Sequence, residues 1–104
     1  MYFDGAARQD GAGAGVVLVS PAKHILPYSF ALTQLCSNNV AEYQALLLGL
    51  QMALEMGIKD LDVYGDSQLV INQLLEEYEV KKEDLIPYHT LARQVLDRLD
   101  TVKL

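Results

Sequence analysis

The sequence predicts a single α/β domain in which helices flank a mixed central sheet. Three strand-like segments come first, between residues 2 and 33, with turn residues between them. A long amphipathic helix follows, and strands then alternate with helices to the end of the chain. Strands joined by short turns pair antiparallel, whereas strands joined through a helix run parallel with right-handed crossovers. We therefore expect three antiparallel strands followed by parallel strands.

Apolar runs bounded by turn residues define the first three strands, and apolar residues occupy alternate positions in the third. Tyr2 and Phe3 begin an apolar run, and the small and polar segment 6–12 is predicted to be a turn. The second strand is predicted over residues 13–20 and the third over residues 25–33. Short turns between consecutive strands indicate an antiparallel meander.

The longest element is a helix predicted from about Asn38 to Met56. Ser37 or Asn38 can cap its first turn by accepting hydrogen bonds from free amides. Apolar residues recur mostly at three- and four-residue steps and so share one face. Gly57 is a suitable stop, because glycine adopts the left-handed conformation that ends many helices.

The remaining chain is predicted to alternate between strands and helices. A fourth strand covers residues 61–64, and a second helix opens at Asp66 and Ser67. A charged connector spans residues 76–84, Pro87 marks the first turn of a third helix, and residues 101–104 begin a fifth strand. No repeat or linker divides the chain, so residues 1–104 form one domain.

Composition restricts the possible classes of protein. The chain has 104 residues and a hydrophobic fraction of 51%, which fits one modest core and argues against disorder. No apolar run reaches the roughly 20 residues of a membrane span, and no signal peptide is visible, so we expect an intracellular protein. Cys36 is the sole cysteine, which fits a reducing compartment. The net charge of -6 disfavours tight nucleic-acid binding unless divalent cations offset part of it.

Three acidic residues stand in distinctive contexts: Asp4 on the first strand, Glu42 in the long helix and Asp66 after the fourth strand. If strands one and four are neighbours, Asp4 and Asp66 come close, and the helix can point Glu42 at the same place. Carboxylates crowded together normally require a cation, and oxygen ligands suit a hard metal. Each acid also has a simpler interpretation: Asp66 as a helix N-cap, Glu42 as a partner of the helix dipole, and Asp4 as a turn residue.

Together these motifs resemble type 1 ribonuclease H domains, in particular the branch of plant proteins and retroelement reverse transcriptases. The segments 3–5 (Phe-Asp-Gly), 37–43 (Ser-Asn-Asn-Val-Ala-Glu-Tyr) and 65–70 (Gly-Asp-Ser-Gln-Leu-Val) occur in the family's order and span most of the chain. The resemblance implies a ribonuclease H-like fold. It also implies endonucleolytic hydrolysis of the RNA strand of RNA–DNA hybrids by a two-metal mechanism with Mg²⁺, or with Mn²⁺ in its place.

The resemblance also assigns roles to individual residues. Asp4, Glu42 and Asp66 would be the catalytic residues and the metal ligands, with Asp4 bridging both ions and Glu42 near the RNA 2′-hydroxyl. A second group, taken from the same motifs, would contact the nucleic acid: Gly5, Asn38, Asn39 and Gln68. The expected partner is an RNA–DNA hybrid, and no membrane is expected.

One departure from the family pattern leaves an alternative function open. The family has a fourth acid beyond the fifth strand, and this sequence ends at Leu104 before that position. The expectation is a C-terminally truncated domain whose last strand and helix are incomplete. The alternative is a non-catalytic module on the ribonuclease H fold that binds nucleic acid or protein, and a third interpretation is a degenerate retroelement fragment.

Overall fold

A computed structural model describes residues 1–8, 11–32, 37–65, 67–75, 83–99 and 101–104. Within these ranges the chain forms six strands and three helices. None of these helices combines the length and the apolar character that a membrane crossing requires.

The first three strands form the predicted antiparallel meander. They are β1 (Tyr2–Arg8), β2 (Gly11–Val19) and β3 (Ile25–Leu32). Both pairings are antiparallel, and β3 is the outermost strand of the sheet. The predicted turn over residues 6–12 is too long, because β1 and β2 pair as far as Arg8 and Gly11. Small residues in this segment are compatible with a paired strand as well as with a turn. The composition alone therefore did not show where β1 ends and β2 begins.

The predicted fourth strand is divided into two short strands, β4 (Asp60–Asp62) and β5 (Tyr64–Gly65). β5 runs parallel to β1 and extends the main sheet to the order β3-β2-β1-β5. β4 pairs in parallel with β6 (Thr101–Lys103), the strand predicted at residues 101–104. The expected neighbours and the parallel direction of the helix-joined strands are therefore confirmed.

The long helix α1 (Asn38–Glu55) begins and ends close to the predicted residues. The Ser37 hydroxyl caps it by accepting a hydrogen bond from the Val40 amide at 3.2 Å. At the other end Gly57 has a φ of 75°, the left-handed conformation expected of a terminating glycine. Ser37, rather than Asn38, is thus the cap.

Two shorter helices complete the described fold. They are α2 (Gln68–Leu74) and α3 (Ile86–Leu96), and Pro87 lies in the first turn of α3 as predicted. Most of the predicted charged connector, residues 76–82, lies outside the described ranges, as does Cys36.

The core lies between the sheet and α1. Side chains alternate between the two faces of a strand, so one face of β1 and β2 packs against the helix. We call this the inner face; it consists of Phe3, Gly5, Ala14, Val16 and Leu18, all of them buried. The helix contributes fully buried residues opposite it, among them Tyr43, Leu46 and Leu50. Burial of this apolar surface is the main force that holds α1 on the sheet.

Candidate active site

Asp4 lies on the side of the sheet that faces away from α1. We call this the outer face; it consists of Asp4, Ala6, Gly13, Gly15 and Ser29, which are neighbours across the three strands. These residues line a shallow depression of about 520 Å³. Asp4 is exposed, so its charge keeps its hydration and costs the fold little. The interpretation of Asp4 as a turn residue is wrong, because Asp4 lies within β1.

Gly5 brings β1 into direct contact with the backbone of α1. A Cβ atom at Gly5 would lie 2.3 Å from the carbonyl carbon and oxygen of Ala41 and 2.6 Å from the amide nitrogen of Glu42. No side chain fits in that space, so glycine is required for this close approach. The contact places the backbone of Glu42 beside the residue that follows Asp4. Whether Gly5 also contacts nucleic acid stays a prediction.

Glu42 is partly buried, and its Oε2 atom is shielded from solvent. It is the fifth residue of α1, and the first turn of that helix contains no acidic residue. The effect of the helix dipole falls off beyond the first turn. The interpretation of Glu42 as a partner of the helix dipole therefore explains little of its position. That Glu42 acts together with Asp4 stays a prediction.

Asn38 and Asn39 lie at the start of α1, close to the end of β1. The Asn38 Oδ1 atom accepts a hydrogen bond from the Ala7 amide at 2.8 Å, which ties β1 to the helix. This structural role was not predicted, because the sequence analysis assigned Asn38 either to capping of the helix or to contact with nucleic acid. Asn38 is exposed and Asn39 half-buried, and their contact with a substrate stays a prediction.

Asp66 lies outside the described residues, and the structure describes the chain on either side of it. On one side β5 ends at Gly65, which pairs with Phe3, the residue before Asp4. On the other side Ser67 caps α2, because its hydroxyl accepts a hydrogen bond from the Val70 amide at 3.3 Å. The interpretation of Asp66 as the N-cap is therefore wrong. Gln68 is the first residue of α2 and is exposed.

A complete metal site is not present within the described ranges, which omit Asp66: no three His, Cys, Asp or Glu residues there form a group that could hold an ion. What these ranges contain is a pair of carboxylates on adjoining elements, Asp4 on β1 and Glu42 on α1. Their oxygen atoms are the ligand type that Mg²⁺ prefers. The pair would require at least one further ligand to bind a cation well.

A family model described as "Reverse transcriptase-like" matches residues 2–104. The chain belongs to the reverse transcriptase-like family. Among the relatives that resemble it is the ribonuclease HI of Halobacterium salinarum, which is 38% identical over 101 residues. That match covers 95% of this chain and 51% of the relative, so the chain spans about half the length of that protein.

Solved structures agree with the family assignment. The crystal structure of RNase H1 from Halobacterium salinarum superimposes with a TM-score of 0.92 at 36% identity, covering 98% of this chain and 79% of that chain. An N-terminal RNase H domain from Mycobacterium tuberculosis gives 0.88 at 30% identity, covering 97% and 79%. LC11-RNase H1, solved in complex with an RNA/DNA hybrid, gives 0.86 at 28%, covering 98% and 79%. The predicted ribonuclease H fold is thereby confirmed.

Proposed function

We propose that this domain is a metal-dependent endonuclease of the ribonuclease H type, which hydrolyses the RNA strand of RNA–DNA hybrids. One observation supports this most directly. The Gly5 contact holds the backbone of Glu42 against β1 at the residue that follows Asp4, and Asp4 itself lines an open depression. The similarity to a ribonuclease HI and to an RNase H1 solved with an RNA/DNA hybrid supports the choice of substrate.

The acids fit a divalent cation. Asp4, Glu42 and Asp66 would hold Mg²⁺, with Mn²⁺ as a substitute, because all three offer hard oxygen ligands. A bound cation supplies charge stabilisation at the scissile phosphate and lowers the pKa of an attacking water molecule. The exposed Asp4 is open to solvent for an incoming ion, whereas the partly buried Glu42 is held by its helix.

The outer face and the start of α1 are the proposed surface for the hybrid. Glycines on a strand permit another backbone to approach closely, and Gly13 and Gly15 line the depression beside Asp4. Asn39 and Gln68 offer amide groups at the first turns of α1 and α2. Glu42 would lie near the RNA 2′-hydroxyl, the group that distinguishes RNA from DNA.

Substitution of Asp4 tests the catalytic assignment. Asp4→Asn removes the charge and keeps the shape, so we expect cleavage of a fluorescent RNA–DNA hybrid in Mg²⁺ to fall by roughly 100-fold or more. Without divalent metal, the melting temperatures of Asp4→Asn and the parent should be equal, because Asp4 is exposed. Asp60→Asn is the matched control, since Asp60 is an exposed aspartate on β4. Equal cleavage by the Asp4→Asn protein and the parent would refute the assignment.

Metal binding separates this function from the non-catalytic alternative. A ligand that binds the native state raises its stability, so Mg²⁺ at millimolar concentration should raise the melting temperature of the parent and not of Asp4→Asn. Hybrid binding without cleavage and without any thermal shift in Mg²⁺ would favour a binding module on the same fold.

A further inference from the structure

Two tyrosine side chains lie exposed and side by side next to the outer face. Tyr2 on β1 is 39% exposed, and Tyr64 on β5 is 59% exposed. The two residues are register partners in the parallel β1–β5 pair, so their side chains project from the same side of the sheet on neighbouring strands. Aromatic rings normally stabilise a protein by being buried, so a pair of rings left open to solvent indicates a binding surface.

The tyrosine pair is close to Asp4. Tyr2 and Asp4 are two positions apart on β1, so both side chains project to the same side of the sheet, with roughly 7 Å between their Cα atoms. Stacked nucleotides of one strand rise by about 3.4 Å each, so a nucleotide over Tyr2 would be roughly two steps from one held at Asp4. The pair therefore lies within reach of the RNA strand that Asp4 is proposed to cleave.

A small cavity beside the pair has a lining that suits a nucleobase. Its volume is about 320 Å³, and Tyr2, Tyr64, Gln68 and Leu104 are among the residues that line it. Aromatic and apolar side chains can pack on the flat face of a base. The exposed Gln68 amide can donate a hydrogen bond to the edge of a base and accept one from it. The cavity therefore suits a planar group with hydrogen-bonding edges better than a purely apolar one.

A basic side chain lies on the same side of the sheet. Lys103 on β6 is exposed and is the register partner of Asp62, which lies two positions before Tyr64. Side chains in register share a face, so Lys103 and Tyr64 project to the same side of the sheet. The Lys103 ammonium group can contact a phosphate next to a stacked base, and the Asp62 carboxylate offsets part of that attraction. We therefore expect stacking to contribute more to binding here than charge.

An aromatic ring can stack only on a base whose face is open. In a duplex the faces of the bases are covered by neighbouring bases, whereas in an unpaired strand they are accessible, and proteins bind such bases by stacking them on aromatic side chains. A simpler interpretation of the pair is a cross-strand contact that stabilises the sheet. That contact requires neither the exposure of both tyrosines nor the cavity with its amide group.

We propose that Tyr2 and Tyr64 are substrate-binding residues that stack on an unpaired nucleotide of the RNA strand, so that the domain prefers RNA–DNA hybrids that adjoin single-stranded RNA. This inference rests on the proposed function, because Asp4 brings the RNA strand to this side of the sheet. The two tyrosines contact a nucleotide away from the scissile phosphate, and the chemical step does not involve them.

The first experiment compares the KM for hydrolysis of fluorescent RNA–DNA hybrids that share one duplex sequence. One hybrid is blunt, one carries a short single-stranded RNA tail, and one carries a tail of the same length without bases; each tail is tested at the 5′ end and at the 3′ end. Stacking on an aromatic ring strengthens binding substantially, so a tail at one of the ends should lower KM by roughly tenfold relative to the blunt hybrid. The tail without bases keeps the phosphates and loses the stacking faces, so its KM should stay within about twofold of the blunt value.

Substitutions separate stacking from a structural role. In Tyr64→Ala and in Tyr2→Ala, the ratio of the blunt KM to the tailed KM should fall from roughly ten to near one, whereas Tyr64→Phe keeps the ring and should keep most of the preference. Leu91→Ala is the matched control, because Leu91 is a 41% exposed apolar residue on α3 outside this cavity. Its ratio should equal that of the parent. Thermal melting of each variant checks its folding, and Tyr64, the more exposed of the two tyrosines, supplies the test if Tyr2→Ala does not fold.

The possible failures are distinguishable. A parent that cleaves blunt and tailed hybrids with equal KM, or Tyr64→Ala with the tail preference of the parent, would overturn this inference alone. A tail without bases that lowers KM as much as the complete tail would show attraction of phosphates in place of stacking. A parent that dimerises in sedimentation while Tyr64→Ala stays monomeric would assign the pair to a contact between two copies of the chain. A parent that cleaves neither hybrid would overturn the proposed function and this inference together.

Discussion

The inner and outer faces of the meander differ in nearly every physical respect although they share the same strands. On the inner face, Phe3 and Val16 are buried against α1, and Gly5 touches the helix backbone. On the outer face, small residues and the exposed Asp4 surround a shallow depression. Stability is concentrated on the first face, whereas the second carries Asp4, one of the proposed catalytic residues. The difference teaches that Asp4 can be altered for function with little cost to the fold, whereas its neighbour Gly5 cannot.

The largest expected effect on stability is that of a methyl group added at Gly5 on the inner face, compared with one added at Gly15 on the outer face. Gly5→Ala would place Cβ 2.3 Å from the backbone of Ala41, so β1 and α1 must separate. We expect the free energy of unfolding to fall by about 3 kcal/mol or more, measured by urea denaturation. In the matched variant Gly15→Ala, the nearest atoms are 3.9 Å away, and stability should change by less than about 1 kcal/mol. Equal losses in the two variants would contradict the comparison.

A second test uses adjacent valines of β2 that point to opposite faces. Val16 is 1% exposed on the inner face, whereas Val17 is half-buried on the other. Val16→Ala should lower the free energy of unfolding by about 2 kcal/mol, since two buried methyl groups are lost. Val17→Ala should cost less than about 1 kcal/mol. A larger loss for Val17 would show that another surface covers the outer face in solution.

A third test follows the pH dependence that the buried Tyr43 imposes. Its pKa is about 12 in the folded protein and near the ordinary value of 10.0 when unfolded. The native state then holds a proton that the unfolded chain releases, so this contribution is fully present below pH 10 and is lost between pH 10 and 12. The free energy of unfolding should fall there by roughly 1 kcal/mol per pH unit. Tyr43→Phe should remove this part of the slope, and an unchanged alkaline slope would show that Tyr43 does not cause it.

The smallest effect is expected at the junction of β1 and α1. Asn38→Ala removes the acceptor for the Ala7 amide and should cost about 0.5–1 kcal/mol, because the bond is exposed. Asn39→Ala leaves the acceptor for the Ala7 amide in place, so its free energy of unfolding should stay near the parent value. If both asparagines also contact nucleic acid, each variant should raise KM for hybrid. An increase confined to Asn39→Ala would restrict Asn38 to its structural role.

The sequence predicted β2 and α1 well because packing leaves strong patterns. The apolar run of β2 and the apolar face of α1 follow directly from burial, and Gly57 and Pro87 mark helix ends through their own backbone restrictions. The family motifs then identified the acids. The outer face gives no comparable signal, since small residues there fit a turn as readily as a strand, and this is why the β1–β2 turn was placed over too many residues.

Side-chain contacts between distant segments could not be read from the sequence. The hydrogen bond between the Tyr43 and Gln73 side chains joins residues 30 positions apart, and tyrosine and glutamine each have many other partners available to them. The Gly5 contact was equally hidden, because a glycine after an aspartate is also typical of a turn. Ser67 was predicted only as part of a pair with Asp66, and geometry was needed to assign the cap to the serine.

The outermost strand of the sheet carries Pro27, which lies opposite Val17. Proline lacks an amide hydrogen, and in edge strands it is tolerated with its nitrogen towards solvent. A strand from a second copy of the chain could pair with β3 only along an unbroken row of amide donors, and Pro27 interrupts that row. The strand that supplies Ser29 and Phe30 to the depression is thus protected against sheet-to-sheet polymerisation.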